Sequence, residues 1–178
     1  MILLLTALAL TVLMCIIARM LRLNLSPALY RRILLLLIPA YLLVNFSMTL
    51  FTRTPGDYPV VFVPFRAILR VFGWDVRTFE SLGKLLSGQW DGGVSPDATS
   101  LVGVLQNIVL FLPFGFLLSG LQKMKTWQII LLGLALSLMI ECTQLGLRIG
   151  WFEVDDLIDN TLGTWVGIAV YRRTVEKA

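Results

Sequence analysis

The chain has 178 residues, 57% of them hydrophobic and 15% charged, with a formal net charge of +4. That balance belongs to membrane proteins rather than soluble domains, and its basic sign speaks to anionic lipid and topology, not to nucleic acid. There is no histidine, which excludes a histidine base, a histidine–zinc centre and a Ser-His-Asp triad.

In chain order, residues 2–18, "ILLLTALALTVLMCIIA", form an uncharged run of spanning character. No positive charge precedes it, as a cleaved signal would require, so a retained helix with its N-terminus outside is expected. Cys15 and Cys142 both fall inside apolar runs, where a cysteine behaves as inert packing. Residues 33–51 form the second run and end in "TLFTR", which delivers Arg53. Residues 55–98 are less regular. "VVFVPFRAILRVFGW" is apolar but short and holds Arg66 and Arg70, so it reads as an interfacial or re-entrant segment. "DVRTFESLGKLL" then places Val76, Phe79, Leu82 and Leu86 at helical spacing, which suits a helix on the membrane surface, with Trp74 and Trp90 as anchors.

Three further spans are expected at 101–121, 127–147 and 154–171. The fold class is therefore all-α: one membrane domain over 1–178, a polytopic bundle of about five transmembrane helices plus the outer segment. Pro39 and Pro113 are tolerable inside spans, where neighbouring helices re-satisfy freed carbonyls. Loops 19–32 and 122–126 and the tail 172–178 carry nine Lys/Arg and one acid, against six Lys/Arg and ten acids on the other side. The basic side is expected in the cytoplasm, with the C-terminus there.

Polar residues then gather on the other side. On the fourth span, Ser137, Glu141, Gln144 and Arg148 are spaced 4, 3 and 4, on one helical face, with Arg148 reaching down toward Gln144. On the fifth, Asp156, Asn160, Gly163 and Gly167 repeat that spacing. Gly163 and Gly167 form "GTWVG", a small-xxx-small packing pattern that also leaves room for a homo-oligomer. Asn107 on the third span and Arg53 after the second belong to the same depth, as do Asp155 and Asp159. Bland readings stand beside the functional one. Asp155 or Asp156 caps the last helix, Asn107 and Asn160 are interhelical glue, and Glu141 is a structural ion pair with Arg53 or Arg148. Ionisable groups inside a membrane favour the functional reading.

These residues resemble the VanZ-like family of bacterial membrane proteins. "NIVLFLPFGFLL" and "IECTQLGLRIGWFEVDDLIDNTLGTWVG" supply its pattern through Asn107, Phe111, Pro113, Gly115, Glu141, Gln144, Arg148, Asp155, Asp156, Asn160, Thr161 and Gly163. Upstream, Arg53, Pro64 and Phe65 agree with it. The resemblance covers about residues 45–171. It implies a multi-pass protein of the bacterial cell membrane, linked to resistance to the glycopeptide teicoplanin, with no established reaction and no cofactor.

Two functions follow as expectations. In the first, Arg53 and Arg148 hold the anionic group of a membrane lipid, lipid-linked wall precursor or lipoglycopeptide, with Asn107, Glu141, Gln144, Asp155, Asp156 and Asn160 completing the site. In the second, an intramembrane enzyme acts on a lipid-linked phosphate with Glu141 as acid or base, and Asp155 or Asp156 could hold a divalent cation. A transporter or channel is disfavoured, because a path needs polar groups across the full depth.

Overall fold

The computed structural model describes residues 2–51, 53–90, 92–97, 99–121 and 123–176, with side chains from Val12 onward. Seven α-helices lie among them: α1 (Ile2–Asn24), α2 (Pro27–Phe46), α3 (Arg66–Val71), α4 (Phe79–Leu86), α5 (Ser100–Gly120), α6 (Thr126–Leu147) and α7 (Val154–Tyr171). The chain is nearly all-α. Among the described residues, one sheet pairs β1 (Val60–Val61) with β2 (Phe152–Glu153) in parallel.

Local chemistry sets the helix ends. Ser26 accepts the Leu29 N–H at 3.3 Å and Pro27 occupies the first turn, so α2 starts earlier than its apolar run. A π-turn, Ser47–Phe51, widens its far end. Reciprocal bonds between Thr78 and Ser81 box the start of α4. Arg148, at φ 53°, terminates α6 in the left-handed conformation.

α5 is the central helix. Its second half is buried on nearly every side, from Phe111 to Gly120. α7 packs on it backbone to backbone, because Gly163 and Gly167 face the carbonyls of Ile108 and Leu112 with no side chain between. The glycine face is thus filled by α5 of the same chain and is not open to a second copy. Toward the basic end, Phe116 meets Tyr171 edge to face with centroids 5.3 Å apart. Leu117 packs on Tyr30 and Leu34 of α2, and Ile129 of α6 joins Phe114, Leu118 and Ile168.

Among the described residues, three helices are long and apolar enough to cross a membrane: Pro27–Phe51, Ser100–Gly120 and Thr126–Leu147. α7 carries Asp155, Asp156 and Asp159 in its first two turns, so composition alone does not mark it as a span. Outward-facing leucines such as Leu36 (73% exposed) and Leu43 (68%) suit a lipid solvent.

The 55–98 segment folds back onto the bundle rather than lying free. Arg66 is its anchor, only 5% exposed. Its guanidinium bonds Asp75 at 2.7 Å and Glu153 at 2.7 Å, and lies 4.8 Å from the Trp151 ring centroid. Arg77 covers the same ring at 5.3 Å and pairs with Asp75 at 2.6 Å. The predicted surface helix is α4, but Val76 lies outside it and is fully buried. Phe79 (65% exposed) and Leu86 (80%) keep an unpartnered apolar face there.

Asp75 makes this anchor acid-sensitive. Burial works against its charge, yet hydrogen bonds from Arg77 and Arg66 outweigh that and hold the carboxyl below its ordinary 3.8. A lowered folded-state pKa contributes stability that is complete above the unfolded value and lost as pH falls through the folded one. The segment is therefore expected to stay protected from an acid-active protease at pH 5 and to open below about pH 4. Asp75→Asn should already be open at pH 5.

Candidate functional site

The polar end is built from α5, α6, α7, the π-turn and the loop that follows it. Glu141 and Gln144 are each 1% exposed on α6. The carboxyls of Glu141 and Asp156 face each other within hydrogen-bonding range across the α6–α7 contact. Glu141 Oε2 also accepts the Glu153 N–H at 3.1 Å, so β2 lies over the pair. Asn107 Nδ2 donates to Asp156 Oδ1 at 2.6 Å from α5. Asn160 Nδ2 donates to Ser137 Oγ at 2.9 Å one turn deeper. Two carboxyls so placed can share a proton or jointly face a cation.

Arg53 acts electrostatically on both Glu141 and Asp156. Its Nη1 lies 2.8 Å from where a Cβ on Gly150 would stand, and Gln144 Oε1 lies 3.0 Å from that point. Glycine at 150 thus leaves room for both Arg53 and Gln144 beside it. Gln144 Nε2 donates to the Thr49 carbonyl in the π-turn at 3.0 Å, whereas its buried Oε1 has no protein partner.

Two openings lie at the polar end. One, of about 480 Å³, is lined by Gly56, Asp57, Tyr58, Pro59, Arg148 and Gly150. The other, of about 180 Å³, is lined by Asn107, Asp155, Asp156 and Asp159 together with Arg66, Arg70 and Glu153. The arginines divide between structure and availability. Arg66 and Arg77 are ion-paired to Asp75, and Arg70 pairs with Asp97 at 3.1 Å. Among the described residues, neither Arg53 nor Arg148 makes a direct ion pair within 4.0 Å.

Two expectations need correcting. Arg148 does not continue the Glu141–Gln144 face, because α6 ends at Leu147 and the left-handed turn swings Arg148 out to the larger opening. Its carbonyl accepts the Gly56 N–H at 2.8 Å, fastening the outer loop. Asp155 lines the smaller opening beside Asp156 but does not cap its own helix, whose N-cap is Glu153. Its carboxylate instead accepts the Phe65 N–H and, at 3.0 Å, the Ala67 N–H. It holds the entry to α3, where Phe65 sits at φ 61°.

Sequence reasoning missed Asn45, Thr49 and the Arg66 network. Asn45 is fully buried. Its Nδ2 donates to the Tyr41 hydroxyl at 2.9 Å, which donates to the Leu110 carbonyl at 3.0 Å. A lone asparagine in an apolar run was the available signal. Among the described residues, no three acidic or sulfur groups converge as metal ligands.

A family model described as VanZ/LLP1 matches residues 2–175. No curated protein and no solved structure matches the chain.

Proposed function

The chain belongs to the VanZ/LLP1 family, and on that premise we propose that it is a multi-pass envelope protein that binds an anionic, lipid-linked ligand at its polar end. The bundle crosses the membrane with α1, α2, α5, α6 and α7. The basic end faces the cytoplasm and the N-terminus faces out, as the distribution of Lys and Arg favours. The ligand is a phosphate-bearing lipid or wall precursor, or the lipoglycopeptide teicoplanin itself. Through that binding the protein alters how the drug reaches its membrane-anchored target.

The observation that carries this reading is the division of the arginines. Arg66, Arg70 and Arg77 are consumed by carboxylates. Arg53 approaches Gly150, and Arg148 lines the larger opening together with that glycine, with guanidiniums suited to phosphate oxygens. Arg53 acts electrostatically on Glu141 and Asp156 without a direct ion pair.

The Glu141–Asp156 contact favours a second reading, a proton-transfer enzyme acting on a lipid-linked phosphate. Glu141 takes or gives the proton while Arg53 faces phosphate charge. One experiment separates the two. A strain lacking the gene is complemented with wild type, Arg148→Ala or Glu141→Gln, and teicoplanin susceptibility and the lipid-precursor profile are measured together. Binding predicts that Arg148→Ala loses the susceptibility shift, whereas Glu141→Gln, which keeps the acceptor for the Glu153 N–H, retains it. A precursor pool that changes on deletion and is not restored by Glu141→Gln supports the enzyme. Identical susceptibility with and without the gene sinks the resistance role.

A further inference from the structure

At the basic end, α1 and α2 pack on the same helix but hardly on each other. Ala18 of α1 leans on Phe116 and Tyr171, while Tyr30 and Leu34 of α2 lean on Leu117. The wedge left between them is a cleft of about 260 Å³ with an almost wholly apolar lining. Leu13, Ile17 and Ala18 form one wall, Leu34 and Leu37 the other, and Leu117 lies on the floor. The cleft is too narrow for another helix, about 10 Å across with its side chains. It has room for part of one acyl chain.

Its end is marked by charge. Arg22 continues the Met14–Ala18 face of α1, and its guanidinium lies 5.7 Å from the centroid of the Tyr30 ring that lines the cleft. Arg31 follows on α2 and is half-buried. No acid occurs anywhere in residues 19–32, and among the described residues no ion pair neutralises Arg19, Arg22, Arg31 or Arg32. A neutral lipid would leave this charge unmatched; an anionic one answers it.

We infer that the α1–α2 cleft is a binding site for an anionic phospholipid, with one acyl chain between Ile17 and Leu37 and its phosphate on Arg22 and Arg31. The site lies at the opposite end of the bundle from Arg53 and does not depend on the function proposed there.

The test is native mass spectrometry of the full-length protein released from nanodiscs of phosphatidylglycerol or phosphatidylcholine with matched chains. Wild type should retain one phosphatidylglycerol and little phosphatidylcholine. Arg22→Gln and Arg31→Gln should each weaken retention about fivefold, near the effect of one basic residue at an anionic surface. Leu37→Trp, which fills the mouth of the cleft from a position 44% exposed, should abolish it. Leu36→Trp, 73% exposed and outside the lining, should not. Equal retention of the two lipids, or no loss with Leu37→Trp, overturns the inference. So does a dimer that Leu37→Trp dissolves, since the occupant is then a second copy.

Discussion

Gly167→Leu is expected to leave no folded bundle to assay. A Cβ at that position would stand 2.0 Å from the Leu112 carbonyl oxygen and 2.9 Å from the Phe116 nitrogen. Both are backbone atoms of α5, so neither can rotate away. Gly163 meets the Ile108 carbonyl at 2.3 Å, and Gly115 returns the constraint from α5, where a Cβ would lie 1.9 Å from the Thr164 carbonyl. The two helices interlock through three missing side chains, and relief at one position requires moving the whole contact. Overpacking a core costs about 1–3 kcal/mol where side chains can shift, so a backbone clash should exceed about 3 kcal/mol. Against total stabilities of about 5–15 kcal/mol, even Gly167→Ala should lower the detergent melting temperature markedly. Gly146→Ala is the control. Nothing lies within 4 Å of its Cβ position on α6, and alanine there gains up to about 1 kcal/mol of helix propensity. Equal melting of the Gly167→Ala and Gly146→Ala proteins would show that α5 and α7 do not touch as described.

Arg53→Ala carries the second large effect, on binding rather than folding. A hydrogen bond to a charged group contributes about 1.5–3 kcal/mol, so its loss should weaken a phosphate-bearing ligand roughly 10- to 100-fold. Arg53→Lys should recover only part of this, because an ammonium cannot present two parallel donors to a phosphate. The contrast is Arg66→Lys. That change breaks the bonds to Asp75 and Glu153 and exposes the outer segment to protease. It reaches the ligand only through the fold. A variant of either arginine that reproduced the other's phenotype would erase the distinction between paired and unpaired arginines.

The five long helices were readable because apolar runs near spanning length leave few alternatives, even with Glu141 in α6 and three aspartates in α7. Glu141 and Gln144 were readable because α6 is regular through Leu147, and helical spacing holds for as long as the helix does. It fails one residue later, at the left-handed Arg148, where a side chain counted on the same face leaves it. The hydrogen-bond partners of Asp155 were hidden for another reason. They lie 88 and 90 residues away in the sequence, in a segment whose folding back follows from tertiary packing rather than any local pattern. Arg66 and Arg70 were noticed as obstacles to a span; that Asp75, Asp97 and Glu153 would enclose them required the parallel pairing of Val60–Val61 with Phe152–Glu153. Asn45 was overlooked inside its apolar run. Its buried oxygen has no protein partner, which makes it, with Gln144, a mark of where the bundle keeps polar space.

The most direct measurement is the affinity of the purified protein, in nanodiscs of neutral lipid, for a polyprenyl phosphate, compared between wild type and Arg53→Ala. Saturable one-to-one binding that weakens by at least about tenfold in the folded variant is the expected result. No saturable binding by the folded wild type to the polyprenyl phosphate, nor to teicoplanin in the same format, would contradict the ligand site at the polar end.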